Sequence, residues 1–186
     1  TAVAALCPVI CKPASESPLT MLRLMALLEE AGVPQGLLSV LPSRNTSKLV
    51  DHLLHDPRVR LVSFTGSTEV GRKLLKVAAD QVLKTSMELG GNAPLIIFDD
   101  ADINIAIEGA LVAKMRNLGE ACTAANRIYV HEDIAQEFKS KFSERMGSLK
   151  VGNGLDKSVD VGPLVNAETR DKVKYFVDDA LSKGAE

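Results

Sequence analysis

Short apolar runs alternate with amphipathic stretches along most of the chain, and this alternation restricts the fold more than any other feature. Apolar runs at residues 6–11, 36–41, 59–64 and 84–89 read as strands, the first of them already prepared by buried-strand character across residues 2–10. Between them, residues 19–31, 43–54 and about 68–80 carry apolar side chains at helical spacing. Gly32 marks one helix stop, and Asn45 or Thr46 one helix start. Strand–helix–strand–helix order predicts a mostly parallel sheet with helices on its faces. Gly90-Gly91-Asn92 interrupts the rhythm. Beyond it come a strand at 94–98, a helix opened by Asp99, Asp100 and Asp102 and reaching about Asn117, and an irregular loop at 118–125. A strand at 126–131, a helix at 133–149, a glycine-rich loop at 151–163 and a helix at 166–183 complete the chain. The glycine pair is the natural boundary between two α/β lobes, 1–90 and 91–186.

Composition narrows the function classes. Of 186 residues, 46% are hydrophobic and 25% charged, enough for a sizeable core and too apolar for a disordered tail. Lysine and arginine number 22 against 24 acidic residues, a balance that argues against a nucleic-acid or membrane-surface partner. No apolar run approaches the ~18 residues of a bilayer span. Three cysteines are too few for a disulfide framework, so a reducing, cytoplasmic setting is expected. The chain begins at Thr1 inside a strand-like run and stops just after a helix, so it reads as part of something longer.

Three segments carry chemistry. Phe64-Thr65-Gly66-Ser67-Thr68 turns from a strand into a helix, where free N–H groups and the helix dipole favour an anion. Gly66 permits close backbone approach and Ser67 can donate to a phosphate oxygen; the plainer alternative is that Ser67 or Thr68 merely caps the helix. Cys122 lies in a loop among small residues, as a thiolate nucleophile requires, although a single cysteine is more commonly a small core residue. Cys7 and Cys11 sit in or beside a strand and are expected in the core. Glu88 ends a strand before two glycines, where α/β sheets place their sites, and burial there would suit a general base; a water-facing carboxylate is the alternative. His52, His55 and His131 are scattered, with His52 and His55 facing solvent, and no metal is expected.

Taken in order, these segments resemble the aldehyde dehydrogenase superfamily over nearly the whole chain. Cys11-Lys12-Pro13-Ala14-Ser15 is similar to its cofactor-ribose motif, Phe64-Thr65-Gly66-Ser67-Thr68 to its pyrophosphate turn and Glu88-Leu89-Gly90-Gly91 to its general-base motif. Asn117 with Gly119-Glu120-Ala121-Cys122 is similar to its nucleophile motif, and the 34-residue interval from Glu88 to Cys122 and the late Gly162-Pro163-Leu164 also match. Lys114-Met115-Arg116-Asn117, Gly90-Gly91-Asn92-Ala93-Pro94 and Phe98-Asp99-Asp100-Ala101-Asp102 resemble the succinate-semialdehyde dehydrogenases in particular.

The resemblance implies a Rossmann-like, parallel-sheet cofactor half at 1–90 and an α/β catalytic half at 91–186, truncated at both ends. It implies Cys122 as nucleophile and Glu88 as base, with Lys12, Ser15, Gly66, Ser67, Leu89 and Gly90 at a NADP or NAD cofactor. Arg116, six residues before Cys122, would hold the distal carboxylate of a small aldehyde substrate. Many NAD-preferring members carry Glu where this chain has Ser15; a serine there removes repulsion of a 2′-phosphate and leaves Lys12 to pair with it, so NADP is expected to be accepted. The full-length enzyme would be a homo-oligomer. Ala124 stands where some members have a second cysteine, so that disulfide partner is missing for Cys122. Two rival readings are an acylating relative that passes the thioester to coenzyme A and a catalytically silent nucleotide-binding module.

Overall fold

The computed structural model describes residues 2–186. Its contacts divide the chain into two units, Thr1–Val62 with Leu75–Thr85, and Ser63–Leu74 with Ser86–Glu186. The first unit opens with a 3₁₀ turn, Val3–Ala5, followed by strand β1, Val9–Cys11. The extended run expected across 2–10 is therefore shorter than its apolar composition suggests. Leu6 turns left-handed at φ 56°, and Pro8 has no N–H to give to a ladder. In consequence Cys7 is exposed and Cys11 only half-buried, which corrects the expectation that both are core residues. Helix α1, Leu19–Glu30, leads to β2, Leu38–Val40, which pairs parallel with β1 from Val9 opposite Leu38 to Cys11 opposite Val40.

Helix α2, Thr46–Leu54, starts at Asn45, whose side chain accepts from the Lys48 N–H at 3.3 Å. Strand β3, Leu61–Gly66, pairs with β4, Lys84–Leu89, and helix α3, Thr68–Asp80, lies between them in sequence.

The second unit has the clearest core. Strand β5, Ala93–Ile97, pairs parallel with β6, Ala125–Val130, and the crossover carries helix α4, Ile103–Met115. Asp102 caps α4 by accepting from the Asn104 and Ile105 N–H groups at 2.9 and 3.1 Å. Side chains on β5 alternate as a pleat demands: Ile97 is buried, while Ile96 is 60% exposed. Ile97, Ile107, Ala110 and Phe138 form the buried centre, with Leu95, Ile128 and Phe142 against it. Phe138 belongs to helix α5, Glu132–Gly147, and stacks on Phe142 with ring centroids 5.3 Å apart. Each large side chain buried there contributes about 1.5–3 kcal/mol. Helix α6, Ala167–Ser182, follows the 151–163 loop and is capped by Asn166, which accepts from the Thr169 N–H at 2.8 Å. Among the described residues no helix is long and apolar enough to cross a membrane.

Candidate active site

Cys122 occupies a β-turn. The Ala124 N–H donates to the Ala121 carbonyl at 2.9 Å, which puts Cys122 and Thr123 at the two central positions. The thiol is exposed, and among the described residues the Cys122 N–H donates to no backbone carbonyl. Downstream the turn is anchored by Ala124 and Ala125, 1% and 5% exposed, at the start of β6. Upstream the chain leaves α4 through a short 3₁₀ segment, Arg116–Gly119, in which three consecutive residues are left-handed: Asn117 (φ 53°), Leu118 (φ 58°) and Gly119 (φ 79°). Asn117 and Leu118 carry a Cβ, and each left-handed residue of that kind costs about 1–2 kcal/mol. The surroundings must hold the segment that leads into Cys122 against that cost. Gly162 lies beside it, its Cα direction facing Leu118 Cδ1.

The Gly90-Gly91 turn lies against this loop. A Cβ on Gly91 would stand 3.0 Å from the Cys122 carbonyl oxygen, a contact with backbone that cannot swing aside. Thus the segment directly after Glu88-Leu89 is brought to the Cys122 turn. A Gly91→Ala variant is expected to lose about 1–3 kcal/mol of stability through overpacking. Chemical denaturation checks this, and an unchanged midpoint would mean the turn yields freely. Arg127 clamps the same crossing, its Nε and Nη2 donating to the Asn92 carbonyl at 3.1 and 2.8 Å. Lys114 Nζ donates to Asn126 Oδ1 at 2.7 Å, and Asn126 Nδ2 to the Gly91 carbonyl at 3.5 Å. Sequence reading assigned no role to this chain of contacts, because its members lie 12 and 35 residues apart.

Glu88 sits near the end of β4 and is exposed, the water-facing alternative of the two sequence readings: among the described residues its strand pairs only with β3. Leu89, next to it, packs on α3 at Gly71, where an added Cβ would fall 2.6 Å from Leu89 Cδ2. Gly90 lies near Thr68, with 3.9 Å between its would-be Cβ and Thr68 Oγ1. Arg116 is exposed just beyond α4, and no ion pair among the described residues engages it.

Ser67 caps α3. Its hydroxyl oxygen accepts from the Val70 N–H at 3.3 Å and its carbonyl from the Gly71 N–H at 2.9 Å. The capping alternative is therefore realised, and it leaves the hydroxyl proton available to an acceptor outside the helix. A Cβ on Gly66 would stand 2.5 Å from Phe64 Cζ, so a larger residue there would have to displace the end of that ring. In the first turn of α3, Lys73 pairs with Glu69 at 2.6 Å and holds its carboxyl below the usual range, chiefly through that hydrogen bond. In the other unit, Lys12 and Ser15 meet on the loop that opens α2. Lys12 Nζ donates to Thr46 Oγ1 at 3.2 Å, and Ser15 Oγ to the Ser43 carbonyl at 3.2 Å.

At the far end of β5 and β6, Asp99, His131 and Asp133 bring ligand-type atoms within 4.8 Å of one another. His131 Nδ1 accepts there from the Asp133 N–H at 3.4 Å as the cap of α5.

Comparison with known proteins gives the chain its family. The model of the aldehyde dehydrogenase family matches residues 1–186. The chain is 52% identical to a succinate-semialdehyde dehydrogenase of Paenarthrobacter nicotinovorans over 184 residues, 99% of this chain and 41% of that relative. It is 48% identical to a probable NADP(+) succinate-semialdehyde dehydrogenase of Sinorhizobium fredii, over 99% of this chain and 38% of that relative. The crystal structure of a succinate-semialdehyde dehydrogenase from Burkholderia pseudomallei matches with a TM-score of 0.91 and 44% identity, over 96% of this chain and 37% of that one. The chain thus spans about two-fifths of the length of the curated relatives it matches. With its α/β architecture, its parallel strand pairs and the Cys122 turn set against Gly91, the chain belongs to the aldehyde dehydrogenase family.

Proposed function

We propose that the whole protein oxidises succinate semialdehyde to the dicarboxylate with NADP or NAD, residues 1–90 serving the cofactor and residues 91–186 the covalent chemistry. The observation that carries this reading is Cys122: an exposed thiol at the centre of a β-turn, its N–H given to no backbone carbonyl among the described residues, packed against the glycine turn that follows Glu88.

The cofactor residues fit a dinucleotide by their donor set. Ser67 keeps a free hydroxyl proton at the N-terminus of α3, where the dipole favours pyrophosphate, and the one acid of that turn is neutralised by Lys73. Lys12 and Ser15 put an ammonium and a hydroxyl on one loop, a pairing suited to ribose hydroxyls and compatible with a 2′-phosphate. Leu89 and Gly90 line the approach from β4 to α3. When bound, the nicotinamide supplies the acceptor for a hydride.

The Cys122 thiolate adds to the aldehyde carbon, forming a C–S bond and an alkoxide that the Cys122 N–H is placed to hold. With a nicotinamide bound beside it to accept the hydride, the former aldehyde carbon would be left as a thioester on Cys122. Glu88 takes a proton from water, the hydroxide adds to the thioester, and the C–S bond breaks to return the thiolate and release the acid. An exposed carboxylate is reachable by that water, and it favours hydrolysis over transfer to coenzyme A.

Among the described residues Arg116 has no carboxylate partner, and it offers a planar fork to the substrate's distal carboxylate. Steady-state assays with each cofactor test the reading. Succinate semialdehyde should reduce NADP, and Arg116→Ala should raise its KM by about 10- to 100-fold. The KM for an uncharged aldehyde should hardly move, and equal effects on both would reject the role.

A further inference from the structure

We infer that Lys114 is a positioning residue for the nucleophile, fixing the Cys122 loop from both sides; the inference rests on the reading of Cys122 given above. Lys114 lies in the last turn of α4, where an ammonium is favoured by the helix dipole. Its side chain runs across the left-handed turn before Cys122. A Cβ on Gly119 would come within 3.3 Å of the Lys114 carbonyl, 3.5 Å of its Cε and 3.6 Å of its Nζ. The ammonium then donates to Asn126 Oδ1 at 2.7 Å.

Since lysine only donates, this bond fixes which way the Asn126 amide faces and turns Nδ2 toward the Gly91 carbonyl at 3.5 Å. Gly91 is the residue packed on the Cys122 carbonyl. One cation therefore touches the turn that precedes the nucleophile and, through one amide, the turn that lies against it.

Strand register explains why Asn126 is available. Ala93 pairs with Ala125 and Pro94 with Arg127, so Asn126 is the extra residue of a β-bulge. Bulges re-aim a side chain out of the ladder, and here the aim is toward Lys114. The need for such a brace is the run of left-handed residues at Asn117, Leu118 and Gly119, which nothing in the local sequence enforces.

The test is Lys114→Met beside Lys114→Arg in the whole protein, with kcat, KM and site-resolved alkylation of the three cysteines measured on each. Lys114→Met should lower kcat by about tenfold, the scale of a lost charge-assisted hydrogen bond, with KM changed less than about twofold. Cys122 should lose alkylation rate while Cys7 and Cys11 keep theirs, and Lys114→Arg, which still donates to Asn126, should restore kcat to within about threefold. A general loss of structure would instead raise labelling at all three thiols, and that result, or an unchanged kcat in Lys114→Met, would overturn the inference. Failure of the underlying reading is a separate outcome, seen as a wild-type protein that oxidises no aldehyde.

Discussion

A Cys122→Ala variant of the whole protein is expected to lose aldehyde oxidation by on the order of 10⁴-fold or more in kcat, the scale on which removing a covalent nucleophile acts in a preorganised site. Cofactor binding, followed by fluorescence titration, should be unchanged, because no cofactor contact proposed for Lys12, Ser15 or Ser67 passes through the thiol. The substitution is small and exposed: Cys122 fills no core space, and the turn around it is held by the Ala124 N–H bond to Ala121 and by the buried Ala124 and Ala125. Loss of stability therefore cannot account for the loss of rate. Alkylation gives an independent check. Cys7 is exposed too, so accessibility alone predicts comparable labelling of Cys7 and Cys122. A reactive thiolate predicts faster labelling at Cys122, resolved by peptide mass. Wild-type-like turnover in Cys122→Ala would move the chemistry elsewhere in the protein and end the reading.

What could be read from the sequence is what local chemistry determines. Asp102, Asn45 and Asn166 accept from N–H groups two or three residues ahead, so each helix start is written in a span of four residues. The alternation of β5 and β6 with α4 and α5 follows from apolar spacing, and the parallel pairing follows from the crossover helix. The exposed loop position of Cys122 and the break after β4 at Gly90-Gly91 belong to contiguous segments and are legible for that reason.

The parts that escaped depend on distant partners. Asn117 and Leu118 are left-handed without being glycine, the Asn126 bulge exists only relative to β5, and Lys114 meets it across 12 residues. Cys7 failed as a core residue because Leu6 and Pro8 break the strand around it, which an apolar count does not register. The sequence leaves Glu88 between burial and water, because burial depends on what packs over a strand end; the structure gives the water-facing alternative.

Glu88→Gln separates the two halves of the proposed chemistry. The amide keeps the shape of the carboxylate and cannot take a proton, so attack by Cys122 and the first hydride loss proceed while thioester hydrolysis stalls. Rapid mixing should show a burst of about one reduced cofactor per site, followed by a steady rate lower by about 10²–10⁴-fold, the range for removal of a general base. Substrate KM should fall with kcat, because the acyl-enzyme accumulates. A nucleophile that needs no base supplies the complementary result: hydroxylamine attacks the thioester directly, so its addition should restore much of the steady rate in Glu88→Gln and change the wild type little. Coenzyme A offered in the same assay addresses the acylating alternative, since a site built for it would turn over with the thiol whether residue 88 is Glu or Gln. Should the burst vanish together with the steady rate, Glu88 acts before the thioester forms, and its assignment as the hydrolytic base fails.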